Sequence, residues 1–109
     1  MKKTRPKIGY AEAEGFPMIF IKEKSAYILY LFYPDFAELR RIIVDEKFRR
    51  KGYGKILVKE LIKITKSAGL NEIRINSDAE VGKDSFADFL ISVGFKRTGN
   101  PPFLWEKKI

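Results

Sequence analysis

The stretch ELRRIIVDEKFRRKGYGKILVKEL, residues 38–61, joins two different kinds of local order. Its first third ends in the β-branched run Ile42-Ile43-Val44. Its last third is an apolar, helix-forming run that continues as far as Ala68. Between them stands RRKGYG, residues 49–54: three cations, then two glycines flanking a tyrosine. By periodicity alone, Phe36–Val44 fits a strand or a helix. The β-branched ending, and the hairpin rhythm of the residues before it, favour a strand. From the glycines onward, Leu57, Leu61, Ile64 and Ala68 recur at helical spacing, Lys55, Lys59, Lys63 and Lys66 line the other face, and Gly69 supplies a stop. Strand, cationic glycine turn, helix is the order that this stretch predicts.

Outward from it, the chain reads as alternating short elements. Lys7–Ala13 is a short mixed run, and Gly15-Phe16-Pro17 marks a turn. Met18–Lys22 and the aromatic-rich SAYILYLFY, residues 25–33, read as strands of a hairpin, closed by Pro34-Asp35. Beyond the helix, Glu72–Ser77 alternates as a strand. Lys83 to Val93 places Phe86, Phe89, Leu90 and Val93 at helical spacing before Gly94. Phe95–Thr98 and Phe103–Lys107 flank a GNPP turn. The order β-β-β-β-α-β-α-β-β predicts an α+β fold: a twisted mixed sheet with helices packed on it. The unit 37–77 predicts a parallel pair, with antiparallel hairpins on both sides.

Composition narrows the chemistry. The 109 residues suit one domain spanning 1–109, and no run of 18 apolar residues suggests a membrane helix. The basic N-terminus lacks the apolar core of a signal peptide, which points to a soluble cytoplasmic protein. Histidine and cysteine are absent, so thiolate nucleophiles, Cys/His zinc sites and histidine acid–base catalysis are excluded. Glutamine is absent as well, and lysine, glutamate and isoleucine abound, a composition that leans towards a thermophilic source. The net charge of +8 fits either a solvated lysine surface or a polyanionic partner, nucleic acid or a phosphorylated cofactor.

A glycine-rich turn that opens a helix exposes backbone N–H groups beside a partial positive charge. Such a turn can hold a phosphate or serve only as a tight connection. Arg49, Arg50 and Lys51 add donors. The pattern is neither a Walker loop nor a dinucleotide fingerprint. In full, residues 38–61 resemble the acetyl-CoA signature of the GNAT acetyltransferase superfamily, in which R/Q-x-x-G-x-G/A stands between a strand and a helix. Arg49, Gly52 and Gly54 fill the fixed positions, Val44-Asp45 and Phe48 match the approach, and Glu46 stands where proline is common. FADFLISVGF, residues 86–95, resembles a second, looser family feature. The likeness runs over about residues 16 to 107.

The resemblance implies a GNAT fold and an acetyl-CoA-dependent N-acetyltransferase. In it the backbone of Arg50, Lys51, Gly52, Tyr53, Gly54 and Lys55 would cradle the CoA pyrophosphate. Ile42, Ile43 and Val44 would pair with the pantetheine arm. Lys83 and Ser85 would approach the far arm of the cofactor. Glu38, eleven positions before Arg49, matches a glutamate that some members use as the base. Strict alternation puts Glu38, Arg40 and Ile42 on one face, unless a bulge intervenes. Leu90 stands where the family often has a tyrosine acid and donates no proton, so the leaving thiolate needs water or another tyrosine. No metal is implied. Members usually open with a strand and two helices that help to build the acceptor site. Only Met1–Gly15 precede the first clear hairpin here, which favours a protein or peptide amine, an open pocket or a homodimer. The alternatives are a non-catalytic CoA-binding module and a basic nucleic-acid-binding domain.

Other features have plainer readings beside the functional ones. Tyr27, Tyr30, Phe32, Tyr33 and Phe36 could stack bases, or simply fill a sheet core. Asp78, Glu80 and Asp84 fit no EF-hand spacing and read as a solvated loop. Trp105 reads as a core anchor.

Overall fold

A computed structural model describes residues 7–22, 26–45, 51–76, 84–100 and 103–109. Seven strands and two helices follow the predicted order: β1 (Ile8–Ala13), β2 (Phe16–Ile21), β3 (Ala26–Phe32), β4 (Ala37–Val44), α1 (Tyr53–Ser67), β5 (Glu72–Asn76), α2 (Asp84–Ser92), β6 (Lys96–Asn100) and β7 (Phe103–Lys108). They form one sheet in the order β1-β2-β3-β4-β5-β7-β6. The β4–β5 pair is parallel, and every other neighbour is antiparallel. The ambiguous 36–44 segment is a strand. Among the described residues, no helix is long and apolar enough to cross a membrane.

Both helices lie on one face of the sheet. Ile19, Ile21, Ala26, Ile28, Ala37, Leu39, Ile42, Ile73, Ile75 and Trp105 form a single buried cluster with Leu57, Val58 and Leu61 of α1 and Leu90 of α2. The α1 stripe is shifted from its predicted line. Thr65 is buried, whereas Ala68 is exposed beyond the helix end. Thr65 is a full turn after Leu61, so it continues the inward stripe. At the far edge, the Tyr10 hydroxyl donates to Glu60 of α1 and ties β1 to the helix.

A carboxylate is buried at the start of β5. Glu72 accepts from Arg74 Nε and Lys108 Nζ, both at 2.7 Å. The Arg74 guanidinium beside it, opposed by burial and helped by Lys108, holds its carboxyl down at about 2. A carboxylate depressed in the folded state stabilises the fold above its unfolded pKa and loses that contribution as the pH falls towards the folded value. Unfolding stability should therefore drop between the ordinary carboxylate range and about pH 2, with Glu72 contributing up to about 3 kcal/mol of that loss. Urea titrations of Glu72→Gln across this window should give a flatter profile. An unchanged slope in the variant would remove Glu72 from the account.

Candidate active site

Strand β4 carries the site, and an irregularity in its pairing decides which residues meet. Tyr30 pairs with Leu39 and Leu29 with Arg41, so Arg40 is an extra residue in the ladder. This bulge moves the inward positions from Leu39 to Ile42, three residues apart instead of two. Glu38, Arg40 and Arg41 consequently belong to the helix-free face. Ile42 does not share it, contrary to strict alternation.

The same strand outruns its parallel partner. Its ladder with β5 contains Ala37↔Ile73, Glu38↔Arg74 and Leu39↔Ile75, while its pairing with β3 continues to Val44. β5 ends at Asn76, one residue after its last pair, so residues 40–44 of β4 run on past that ladder. The predicted pantetheine-pairing segment, Ile42, Ile43 and Val44, lies in this overrun. Ile42 is buried against the helices, and Ile43 is 38% exposed.

The glycine turn sits at the same end of the sheet. Gly52 is the α1 N-cap in the left-handed conformation, φ 84°, with nothing within 4 Å of where a Cβ would stand. Among the described residues, no side chain caps the helix, and its first turn holds no acidic residue. Backbone donors at such an end are therefore oriented towards any incoming anion. Lys51 and Lys55 are exposed, and Tyr53 and Gly54 are half-buried. Gly54 is in a different position from Gly52. A Cβ on it would lie 3.1 Å from the Phe89 ring of α2 and 3.8 Å from Ile42 Cδ1. Arg49, Arg50 and Lys83 lie outside the described residues. Ser85 falls in the first turn of α2.

Glu38 is 1% exposed. The Tyr33 hydroxyl donates to its Oε1 at 3.0 Å, and Arg40 Nη1 approaches Oε2 at 3.2 Å. Two charge-compensating donors offset the cost of burying a carboxylate. The hydrogen bond to Glu38 raises the Tyr33 pKa, so Tyr33 keeps its proton and remains a donor. Sequence alone placed no tyrosine near Glu38. Tyr33 gets there because Pro34-Asp35 turns the chain back, and its ring stacks on Phe36 at 4.7 Å, with Phe103 edge-on to Phe36 at 5.2 Å. These aromatics pack on one another, and Tyr30 packs into the helix-side core. Leu90, in the position that resembles a tyrosine acid, is fully buried among the core residues.

Next to Arg40, the ion-pair partner of Glu38, a cleft of about 150 Å³ is lined by Glu14, Phe16, Leu29, Arg40, Arg41 and Asn76. Asn76 is the last residue of β5, so the cleft lies at the end of the β4–β5 ladder. Sequence reasoning missed Glu14, Phe16 and Leu29. They come from the β1–β2 turn, the start of β2 and β3, and no local pattern links them to Glu38.

A mixed sheet whose parallel ladder ends near a glycine-capped helix, with a buried carboxylate on the same strand, has the outline of an acyltransferase-type architecture. The profile of the Acetyltransferase (GNAT) family matches residues 7–87, and the chain belongs to that family. It is 33% identical over 61 residues to the uncharacterized N-acetyltransferase CgeE of Bacillus subtilis, a match that covers 56% of this chain and 24% of that protein. The PaiA N-acetyltransferase of Thermoplasma acidophilum, solved in complex with coenzyme A, superposes with a TM-score of 0.71 at 26% identity, over 86% of this chain and 60% of that one. A GNAT acetyltransferase of Elizabethkingia anophelis with acetyl-CoA bound gives 0.71 at 17% identity, over 86% and 76%. The ribosomal-protein-S18-alanine N-acetyltransferase of Escherichia coli gives 0.68 at 18% identity, over 90% and 72%. This chain thus spans about a quarter of the CgeE protein and three-fifths of the PaiA chain.

Proposed function

We propose that this chain binds acetyl-CoA and transfers its acetyl group to a primary amine of a protein or peptide. The observation that carries the reading is the fork after Leu39, where β4 runs on past the end of β5: the strand edge at 40–44, the helix end whose Gly54 stands against Ile42, and the buried Glu38 lie along one strand. The pyrophosphate would lie on the backbone of residues 50–55, and the pantetheine arm along Ile42, Ile43 and Val44, as an added strand. The thioester would then reach the fork beside Glu38. Glu38 takes the proton that the acceptor amine must lose before attack, through a water, because the carboxylate is buried. Leu90 has no proton to give, and the departing thiolate takes one from solvent. The helix-free face beside Glu38, where Arg40 and Arg41 are partly exposed, suits a large acceptor. A second reading, CoA binding without transfer, draws on Leu90 alone.

Calorimetric titration with acetyl-CoA tests the cofactor site, with CoA and a single-stranded oligonucleotide as comparators. Micromolar binding of acetyl-CoA and of CoA is expected, and none of the oligonucleotide at physiological salt. Binding of the oligonucleotide alone, falling steeply with added salt, would replace this reading with a nucleic-acid one.

A further inference from the structure

The cleft next to Arg40 has a chemistry of its own, and it bears on the acceptor. The bulge turns two consecutive arginines onto one side of the strand, where regular pairing would alternate them. Both line the cleft together with Phe16 and Leu29. Arg40 is fixed from two directions. Its Nη1 meets Glu38, and its guanidinium lies 4.4 Å from the Phe16 ring centre. Among the described residues, its Nε and Nη2 hydrogens have no partner. Among the described residues, Arg41 is held by Glu14 alone, at 3.7 Å, with both side chains about half exposed. Such a pair is worth little and is readily exchanged for another carboxylate.

Glu14 is itself unusual. It sits at φ 54°, followed by Gly15 at φ 82°, in the two-residue turn between β1 and β2. Asparagine or glycine is the residue that such a turn favours, and a glutamate there is strained. The strained position places a carboxylate beside Arg41, at the rim of the cleft.

We infer that the cleft reads an anionic group standing next to the acceptor's reactive amine, with Arg41 and Arg40 as its partners and Glu14 as the carboxylate that it displaces. The acceptor class is an amine with a carboxylate a few bonds away: a peptide N-terminus followed by an acidic residue, or the α-carboxylate of a free amino acid. This inference rests on the fork being the site of acetyl transfer. With the amine at Glu38 and the carboxylate at Arg41, the acceptor spans neighbouring residues of one strand. An arginine pair is also a poor host for a polycationic acceptor.

The test is the binding of C-terminally labelled, amidated hexapeptides to the CoA-loaded protein by fluorescence anisotropy, at about 150 mM salt, where distant charges are screened. One peptide carries aspartate at its second position and the other lysine. The acidic peptide should bind at least about tenfold tighter, a difference of roughly 1.4 kcal/mol. Arg41→Glu should remove that preference, and Arg41→Ala should reduce it. Lys63→Glu makes the same change in net charge on the exposed face of α1 and should shift the preference less than about threefold. Glu14→Asn should tighten the acidic peptide further. Free alanine as competitor separates the two sources. Displacement marks the α-carboxylate as the recognised group, and no displacement marks the side-chain carboxylate; either result fits the shared chemistry. Equal affinity for the two peptides, no binding of either, or equal losses in Arg41→Glu and Lys63→Glu would overturn the inference. Acetyl-CoA calorimetry on the same preparations keeps the layers apart. Cofactor binding without peptide discrimination removes this inference alone, and absent cofactor binding removes the reading beneath it.

Discussion

Glu38→Gln should lower kcat for acetyl transfer by about a hundredfold or more, the usual contribution of a positioned base, while acetyl-CoA affinity stays within about twofold. Glutamine keeps the shape of the side chain and can still accept from Tyr33 and Arg40, so the packing around β4 survives. What it loses is the capacity to hold the amine's proton. The affinity should be spared because the proposed cofactor contacts lie further along the strand, at residues 42–44 and on the glycine turn. Tyr33→Phe provides the comparison. It removes the 3.0 Å donor from Glu38 Oε1 and leaves Arg40 in place, so the rate should fall less than in Glu38→Gln. Single-turnover acetylation of an acidic peptide, with calorimetry alongside, measures both quantities. A Glu38→Gln enzyme with full single-turnover rate would remove Glu38 from catalysis and leave it a structural ion pair with Arg40.

The strand and the helix on either side of the glycine turn were legible in the sequence because both obey local rules. β-Branched residues made β4, glycine at a left-handed position made the cap of α1, and the leucine spacing made the helix. The bulge was not legible in the same way, because a bulge is a property of two strands in register. One trace of it was present. In LRRII, residues 39–43, the apolar positions that end up facing the helices, Leu39 and Ile42, are three apart, and two charges stand between them. A strict period of two cannot bury both. The remainder of the cleft depended on contacts between residues distant in sequence. Phe16 reaches Arg40 across 24 positions, and Glu14 reaches Arg41 across 27, so neither could be read from spacing. Tyr33 is near Glu38 in sequence, but its role depends on a stacked aromatic pair that only the folded turn creates.

The two glycines of RRKGYG should also respond differently to substitution, and the difference tests why each is there. Gly52 needs its left-handed backbone and has open space around it. Gly54 is an ordinary helical residue whose missing side chain leaves room for Phe89. A ring 3.1 Å from the would-be Cβ must give way for alanine and cannot accommodate the two further methyls of valine without moving α2. Gly54→Val should therefore destabilise the protein by about 2 kcal/mol through overpacking. It should also weaken acetyl-CoA binding about tenfold, as the first turn of α1 is pushed from its place. Phe89→Ala in the same chain vacates the space. The double variant should be less destabilised than the sum of the two single changes by about 1–2 kcal/mol, with acetyl-CoA affinity returning to within about threefold of the parent. Chemical denaturation of the four proteins of this cycle gives the coupling, and calorimetry gives the affinities. Additive stability costs would show that Phe89 is not what requires a glycine at position 54. Restored stability without restored affinity would assign that glycine to the ligand: the backbone would need to be bare for the pyrophosphate to approach, and the contact with α2 would be secondary.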